Sequence, residues 1–374
     1  MKIGWFFNPQ GAGHKNRLAT LVPHFSSTTQ LATLSYAGCT LSRDLSLGRR
    51  DPIPHLTLPA YNTPTRHSYL RDQVWQAFHG LQMNSGGNAP FFAMLTAWIA
   101  DWQPDLMVID VALETALAAR LCGIPVIYMR QHGKRWDLGH KVAYEASLAL
   151  LAPFSSDMEQ TDCPGWIKKK TFYSGGFCRF DPRQTPPSPF VSQADRSRQT
   201  VNVVVMLGAG GTNISYPNIF SAAAATPHWQ WVILGQPEAS PDRSNIEPGA
   251  VSPNIRLLGK VCDVYPYLRH ADLVVANAGH NAVMEIGAAR APFFCWPAQR
   301  PFKEQLCKAA TLEALDLAVV RHRWPQPQDW PMILTAANRK SRTQWQRLLD
   351  VEAPQRAARF IESVGRRCLP AVAA

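Results

Sequence analysis

Residues 276–305 read ANAGHNAVMEIGAARAPFFCWPAQRPFKEQ. The apolar run Leu273–Ala276 ahead of them has the length and composition of a buried parallel strand. It runs straight into the turn Asn277-Ala278-Gly279-His280-Asn281-Ala282, and a helix carrying Glu285 follows. A second apolar strand at 292–296 and a polar segment ending in Glu304-Gln305 complete the unit. Strand, glycine turn, helix and strand form a βαβ unit of the Rossmann type. Its turn falls at the carboxyl end of a strand, where open α/β sheets place their ligands. The unpaired N–H groups of a helix start at Gly279 and Asn281 suit a diphosphate. Glu285, two turns further on, suits ribose hydroxyls, and Glu304 and Gln305 suit sugar hydroxyls.

The same rhythm occurs elsewhere. The chain opens with a strand at Lys2–Phe7, a glycine-rich turn at 8–14 ending in Gly13-His14, and a helix over about 15–25. Residues 104–110, PDLMVID, read as a central strand closed by Asp110. A helix over 114–122, a helix-ending Gly123 and a strand at 124–129 follow. Residues 180–200 are rich in Pro, Ser, Gln and Arg and read as a linker or a long exposed loop. The second half restarts with a strand at 201–207 and the turn Gly208-Ala209-Gly210-Gly211-Thr212-Asn213. Strands are expected at 229–234 and 255–258, and a closing helix at Ala353–Cys368. The expected domains are 1–180 with 353–374 returning to it, a linker at 181–200, and 201–352.

Composition narrows the class. Of 374 residues, 46% are apolar and 17% charged, so the chain is globular rather than disordered. No run reaches the ~18 apolar residues of a membrane span. The nearest, 89–102, belongs to an aromatic stretch over 74–102 that includes Trp75, Phe91 and Trp98 and reads as core or as a lipid-facing element. The start, MKIGWFFNPQG, does not read as a signal peptide. The eight cysteines form no C-x-x-C pair and read as buried, reduced thiols. A cytoplasmic protein is expected, at most peripheral on the inner face of the plasma membrane. The net charge of +11 favours anionic partners, with an anionic membrane surface or a diphosphate-bearing acceptor ahead of nucleic acid, for which no recognition motif is visible.

A histidine at the end of the first strand suits general-base work, and a carboxylate at the end of a neighbouring strand can orient it. His14 and Asp110 are the candidates, against a surface histidine and a helix-capping aspartate. Residues 129–137, MRQHGKRWD, form a basic loop that binds an anionic acceptor or the donor phosphates, or is merely solvated, with His132 as a rival base.

The order Gly279, Asn281, Glu285, Pro292, Pro297, Glu304 and Gln305 resembles the donor-binding motif of GT-B glycosyltransferases. The likeness is greatest to the MurG-like family 28 within the UDP-glycosyltransferase superfamily. Gly11-Ala12-Gly13-His14, Gly208–Asn213 and Ser174-Gly175-Gly176-Phe177 resemble further patches of that family. The chain departs from the plant-type pattern at Asn277, where a histidine is common, and at Lys308, where an asparagine is usual. The resemblance implies an α/β GT-B fold, two Rossmann-like domains facing each other across a cleft. It implies a UDP-hexose donor and a sugar, lipid-linked or small-molecule acceptor. No cofactor and no metal are expected, and transfer inverts the anomeric centre. His14 would deprotonate the acceptor, oriented by Asp110. The implied donor set is Gly13, Gly208, Gly210, Gly211, Thr212, Val261, Asn277, Gly279, His280, Asn281, Ala282, Glu285, Gln299, Glu304 and Gln305, with Val261 at the base. A nucleotide-sugar hydrolase or 2-epimerase of the same fold is the near alternative. A basic polyanion- or membrane-surface-binding protein is the alternative from another class.

Overall fold

A computed structural model describes the chain apart from residues 9–12, 37–51, 61–76, 79–80, 82, 84, 191–199, 209, 237–251 and 370–374. The chain divides into two compact units. One comprises Met1–Ser156, Thr161–Gly175 and Glu352–Ala374, the other Asp157–Gln160 and Gly176–Val351.

In the first unit β1 (Lys2–Phe7), α1 (Gly13–Leu21), β2 (Gln30–Tyr36) and β3 (His55–Leu58) come first. Then follow α2 (Asn88–Trp102), β4 (Leu106–Asp110), α3 (Leu113–Leu121) and β5 (Val126–Met129). α4 (Leu138–Ala146), β6 (Ala149–Ala152), α5 (Gly165–Lys170) and β7 (Thr171–Tyr173) complete the sheet. Its order is β3-β2-β1-β4-β5-β6-β7, with every neighbouring pair parallel. The continuous apolar runs LMVID and VIYM form central strands because both faces are covered.

The second unit holds β8 (Asn202–Met206), α6 (Tyr216–Ala225), β9 (Gln230–Leu234) and β10 (Ile255–Gly259). α7 (Tyr265–Arg269), β11 (Leu273–Ala276), α8 (His280–Ala289) and β12 (Phe293–Cys295) follow. Next come α9 (Glu304–Ala314), β13 (Val319–Val320), α10 (Trp330–Asn338) and α11 (Trp345–Leu348). The order β10-β9-β8-β11-β12-β13 is again fully parallel. Both sheets thus follow the doubly wound order in which the strand direction of travel reverses next to the first strand of the unit, and ligands bind at that switch point.

Helix α12 (Ala353–Cys368) packs in the first unit against α1. Ala357, Ile361 and Val364 are buried along one face. Phe360 stacks on Phe172 at 4.1 Å between ring centroids, and Glu362 accepts hydrogen bonds from Thr29 Oγ1 (2.6 Å) and the Ser26 amide (2.8 Å).

Of the aromatic stretch, Phe91, Leu95 and Ile99 of α2 lie in the core, Phe91 edge-on to Phe6. The core reading therefore holds for α2, while Trp75 lies outside the described residues. No described helix is long and apolar enough to cross a membrane. Residues 180–190 do not form a free loop. Phe180 stacks on Tyr265, Phe190 is buried edge-on to Tyr267, and the Pro186 carbonyl lies 2.8 Å from His270 Nε2. The described cysteines are free thiols, but the expectation that they are buried fails at Cys122 and Cys262, which are exposed.

Candidate functional site

The switch point of the first sheet lies between β1 and β4, where Phe7 pairs with Asp110. α1 starts just beyond β1 and carries His14 over the end of β4. His14 Nδ1 stands 3.0 Å from Asp110 Oδ1, with the histidine side chain 13% exposed and the aspartate fully buried. The ring is at bonding distance but turned from the ideal direction, leaving Nδ1 without a formed hydrogen bond.

The same oxygen accepts a 2.7 Å hydrogen bond from Arg17 Nη1, whose guanidinium is also buried and touches Met129 Sδ at 3.1 Å. Burial alone would push the Asp110 carboxyl up. The Arg17 and His14 side chains outweigh that cost and hold it below the ordinary carboxylate range. Asp110 does not cap a helix, since Ala112 is the N-cap of α3. Immediately after it, Val111 adopts φ 65°, a left-handed conformation that a β-branched residue rarely enters. Such strain costs of order 1–3 kcal/mol and tends to occur at functional sites.

His132 stands in different surroundings. It is 1% exposed, its ring lies 4.1 Å from that of Phe154, and its carbonyl accepts from Arg135 Nε. The basic loop is not a solvated one. Arg130 is buried on Thr171 Oγ1, and buried Arg135 lies 3.5 Å from His140 Nε2. Asp137 caps α4 and holds His140 Nδ1 at 2.6 Å. Lys134 stays half-exposed, 3.7 Å from Asp162.

In the second unit the switch point lies between β8 and β11. The turn after β8 and the turn after β11 are joined by side chains. Asn277 Nδ2 donates to Asn213 Oδ1 (2.7 Å) and to the Trp296 carbonyl (2.5 Å). Arg300 Nη2 clasps the Gly210 and Gly211 carbonyls, each at 2.6 Å. Gly211 needs its glycine, having φ 88°, and a Cβ on Gly208 or Gly210 would meet only open space. Thr212 Oγ1 accepts from the Ile214 amide.

Gly279 is the N-cap of α8 and supplies no side-chain cap, so the amides of the first turn face outward. Gln305 lies beside it, with Nε2 4.0 Å from where a Gly279 Cβ would stand, and its Oε1 accepts from the Ala298 amide (2.9 Å). Asn281 and Ala282 lie half-buried on the first turn of α8, and Gln299 is exposed. Glu304 opens α9 directly after Phe302 and Lys303, both at φ 56°. Two consecutive left-handed non-glycine residues mark a second strained turn, here at the predicted sugar contact.

Glu285 is buried on α8, and its Oε1 accepts from Arg179 Nε at 2.9 Å. Burial pushes its carboxyl up, Arg179 pulls it back, and Asp263 adds to the rise. Arg179 Nη1 also holds the Cys262 carbonyl at 2.9 Å, which ties the loop of Val261 to Glu285. Buried Lys308 places Nζ 2.9 Å from His280 Nδ1. Among the described residues no group of three or more His, Cys, Asp or Glu side chains could hold a metal ion.

No family model matches the chain. An uncharacterized glycosyltransferase of Methanosarcina acetivorans is 23% identical over 238 residues, covering 58% of this chain and 59% of that protein. A Methanosarcina mazei protein of the same description is 23% identical over 240 residues. The chain thus matches a little over half the length of these relatives. Among solved structures, the glycotransferase of kitacinnamycin superposes over 99% of both chains with a TM-score of 0.66 at 15% identity. Acinetobacter baumannii MurG superposes over 97% of this chain and 99% of its own, with a TM-score of 0.63 at 15% identity. The fold is GT-B.

Within this GT-B chain the structure gathers most of the predicted residues into two groups. His14 and Asp110 meet at one switch point. Gly210, Gly211 and Asn277 meet at the other through Arg300 and Asn213, Gly279 stands beside Gln305, and Glu285 is held apart from them by Arg179. His132 is described with Phe154 and Arg135 instead. Sequence reasoning missed Arg17 and Arg179. Arg17 had a local signal, since a residue three positions after His14 on a helix shares its face. Arg179 had none, because 106 positions separate it from Glu285.

Proposed function

We propose that the chain is a glycosyltransferase that moves a hexose from UDP to an acceptor hydroxyl, with inversion and without a metal ion. The observation that carries this reading is the His14–Asp110 contact at the first switch point. With Nδ1 facing Asp110, the lone pair of His14 falls on Nε2, the ring atom free to take a proton. The acceptor oxygen loses its proton to Nε2 and forms a bond to the anomeric carbon of the donor. The bond from that carbon to the diphosphate oxygen breaks, and the electron pair leaves with UDP. Attack opposite the leaving group inverts the centre. Buried Asp110 stabilises the imidazolium so formed, and the exposure of His14 favours it over His132 as the base.

The outward amides of α8 offer the diphosphate a fixed positive pole. Glu285 and the Val261 loop take the nucleoside. The acceptor is a sugar, a lipid-linked or a small-molecule hydroxyl.

Calorimetric titration with UDP, CDP, GDP and dTDP at physiological salt, without added metal, tests the donor side. Selective UDP binding that Glu285→Ala weakens supports the reading. Binding of none of the four overturns it. Full turnover of a UDP-sugar by His14→Ala would remove the base assignment while leaving the donor site in place.

A further inference from the structure

One oxygen of Asp110 serves two donors. Oδ1 accepts a 2.7 Å hydrogen bond from Arg17 Nη1 and lies 3.0 Å from His14 Nδ1, while buried Oδ2 has no hydrogen-bond partner among the described residues. His14 and Arg17 stand three positions apart on α1, so both reach the end of β4 from one helix face. Asp110 is fully buried and Arg17 nearly so. β1 ends here in Phe7, and β5 in Met129, whose Sδ takes Arg17 Nη1 at 3.1 Å. Tyr128 of β5 lies in the core with Ile109 and Tyr144. On α12, which packs against α1, Glu362 holds Thr29 and the Ser26 amide, and Arg356 donates to the Ser174 carbonyl. Glu352, Arg359, Arg366 and Arg367 of that segment are exposed, as is His24 after α1, and Lys15 is half-buried.

A buried carboxylate needs a positive charge beside it. Two groups here can supply one. A guanidinium carries its charge at every working pH, whereas an imidazole carries one only after taking a proton. With His14 as its sole partner, the carboxylate would draw a proton onto the ring. An imidazolium formed in that way has no lone pair left for the acceptor's proton. Too strong a hold by Asp110 is therefore as harmful to a base as none. Arg17 meets the need for charge with a fixed cation. Burial pushes the Asp110 carboxyl up, and Arg17, ahead of His14, holds it down.

We propose that Arg17 is a positioning residue for the transfer. It balances the charge of Asp110, so that His14 stays unprotonated until the acceptor arrives while Asp110 still orients the ring. The inference rests on the reading of His14 as the base, and it names the group that keeps that base in working form.

Nitrogen-15 NMR of the full chain labelled at histidine follows the titration of His14 without any substrate, its signals identified by their loss in His14→Ala. In Arg17→Gln the midpoint should rise by about one pH unit or more, because the proton on His14 then balances the carboxylate. Arg17→Lys restores a fixed charge and should bring the midpoint back to within about half a unit of wild type. The acid side of the turnover–pH profile should move up in Arg17→Gln by the same amount, since the base works only above its midpoint. A merely structural ion pair would lower the melting temperature of Arg17→Gln and leave the midpoint in place. An unmoved midpoint in folded Arg17→Gln overturns the proposal and leaves His14 as the base. If Arg17→Gln does not fold, as a thermal melt shows, Asp110→Asn and the double variant Arg17→Gln/Asp110→Asn decide, since neither buries a lone carboxylate. Adding Arg17→Gln must then raise the midpoint by at least about half a unit, because the guanidinium no longer repels a proton from the ring. No rise in that comparison overturns the proposal. Full turnover by His14→Ala overturns the base reading and the proposal with it.

Discussion

Replacing Asp110 by Asn keeps the shape of the side chain and removes its charge. The carboxylate is fully buried, 2.7 Å from Arg17 Nη1 and 3.0 Å from His14 Nδ1. Removing one member of a buried ion pair strands the other and costs about 3–5 kcal/mol. The amide oxygen of Asn still accepts from Arg17, so the lower end, about 3 kcal/mol, is expected. For a unit of this size that lowers the melting midpoint by roughly 6–12 °C. The pH dependence fixes the cause. The folded carboxyl is held below its unfolded value of 3.8. Its contribution is therefore fully present above that pH and is lost only as the pH falls through the lower, folded value. Scanning calorimetry of wild type and Asp110→Asn should show a gap at about pH 5 that closes on stronger acidification. Turnover at neutral pH should fall by about two to four orders of magnitude, because the imidazolium loses its partner. A gap below about 1 kcal/mol at neutral pH would refute the ion-pair argument, well under the ~3 kcal/mol expected of a broken buried pair.

Other measurements reach other parts of the molecule. His14→Ala should abolish turnover and leave UDP affinity within about twofold, whereas buried His132→Ala should cost about 1–3 kcal/mol of stability in calorimetry. Turnover lost in a fully stable His132→Ala would exchange their roles. Gly287→Ala puts a methyl group into the Trp345 ring and Leu349; overpacking of about 1–3 kcal/mol should lower the melting transition of the second unit. Maleimide labelling followed by peptide mass analysis should mark Cys122 and Cys262 in the native protein. Cys163 and Cys295 should stay unmarked until unfolding, as should Cys178, whose thiol burial pushes up to about 12.

What could be read in advance follows from what each segment must do alone. β1, β4, β5, β8 and β11 are covered on both faces, and their apolar runs announce them. β2 mixes polar residues into QLATLSY, β3 is half-buried, and β13 has two residues, so none carries a period long enough to read. His14 and Asp110 were legible because each ends a visible strand or turn. Their partners depend on tertiary placement: Arg17 on the rotation of α1, Arg179 on the path of the chain after β7, and Lys308 on α9 lying beside the start of α8. Of the two readings of the basic loop at 129–137, the solvated one fails at Arg130 and Arg135, because charge suggests solvent until folding supplies Thr171 and His140 as partners.

The return of α12 to the first unit sets an order on synthesis. By Gly175 the ribosome has made every strand of the first sheet, yet the helix that covers α1, Phe172 and Thr29 starts only at Ala353. At about 5–20 residues per second the intervening stretch takes roughly 10–35 seconds to make. During that interval the nascent first unit exposes an apolar face with nothing to cover it. Transiently exposed apolar surface makes a folding intermediate prone to aggregation, and a chain halted before Ala353 would keep that face exposed.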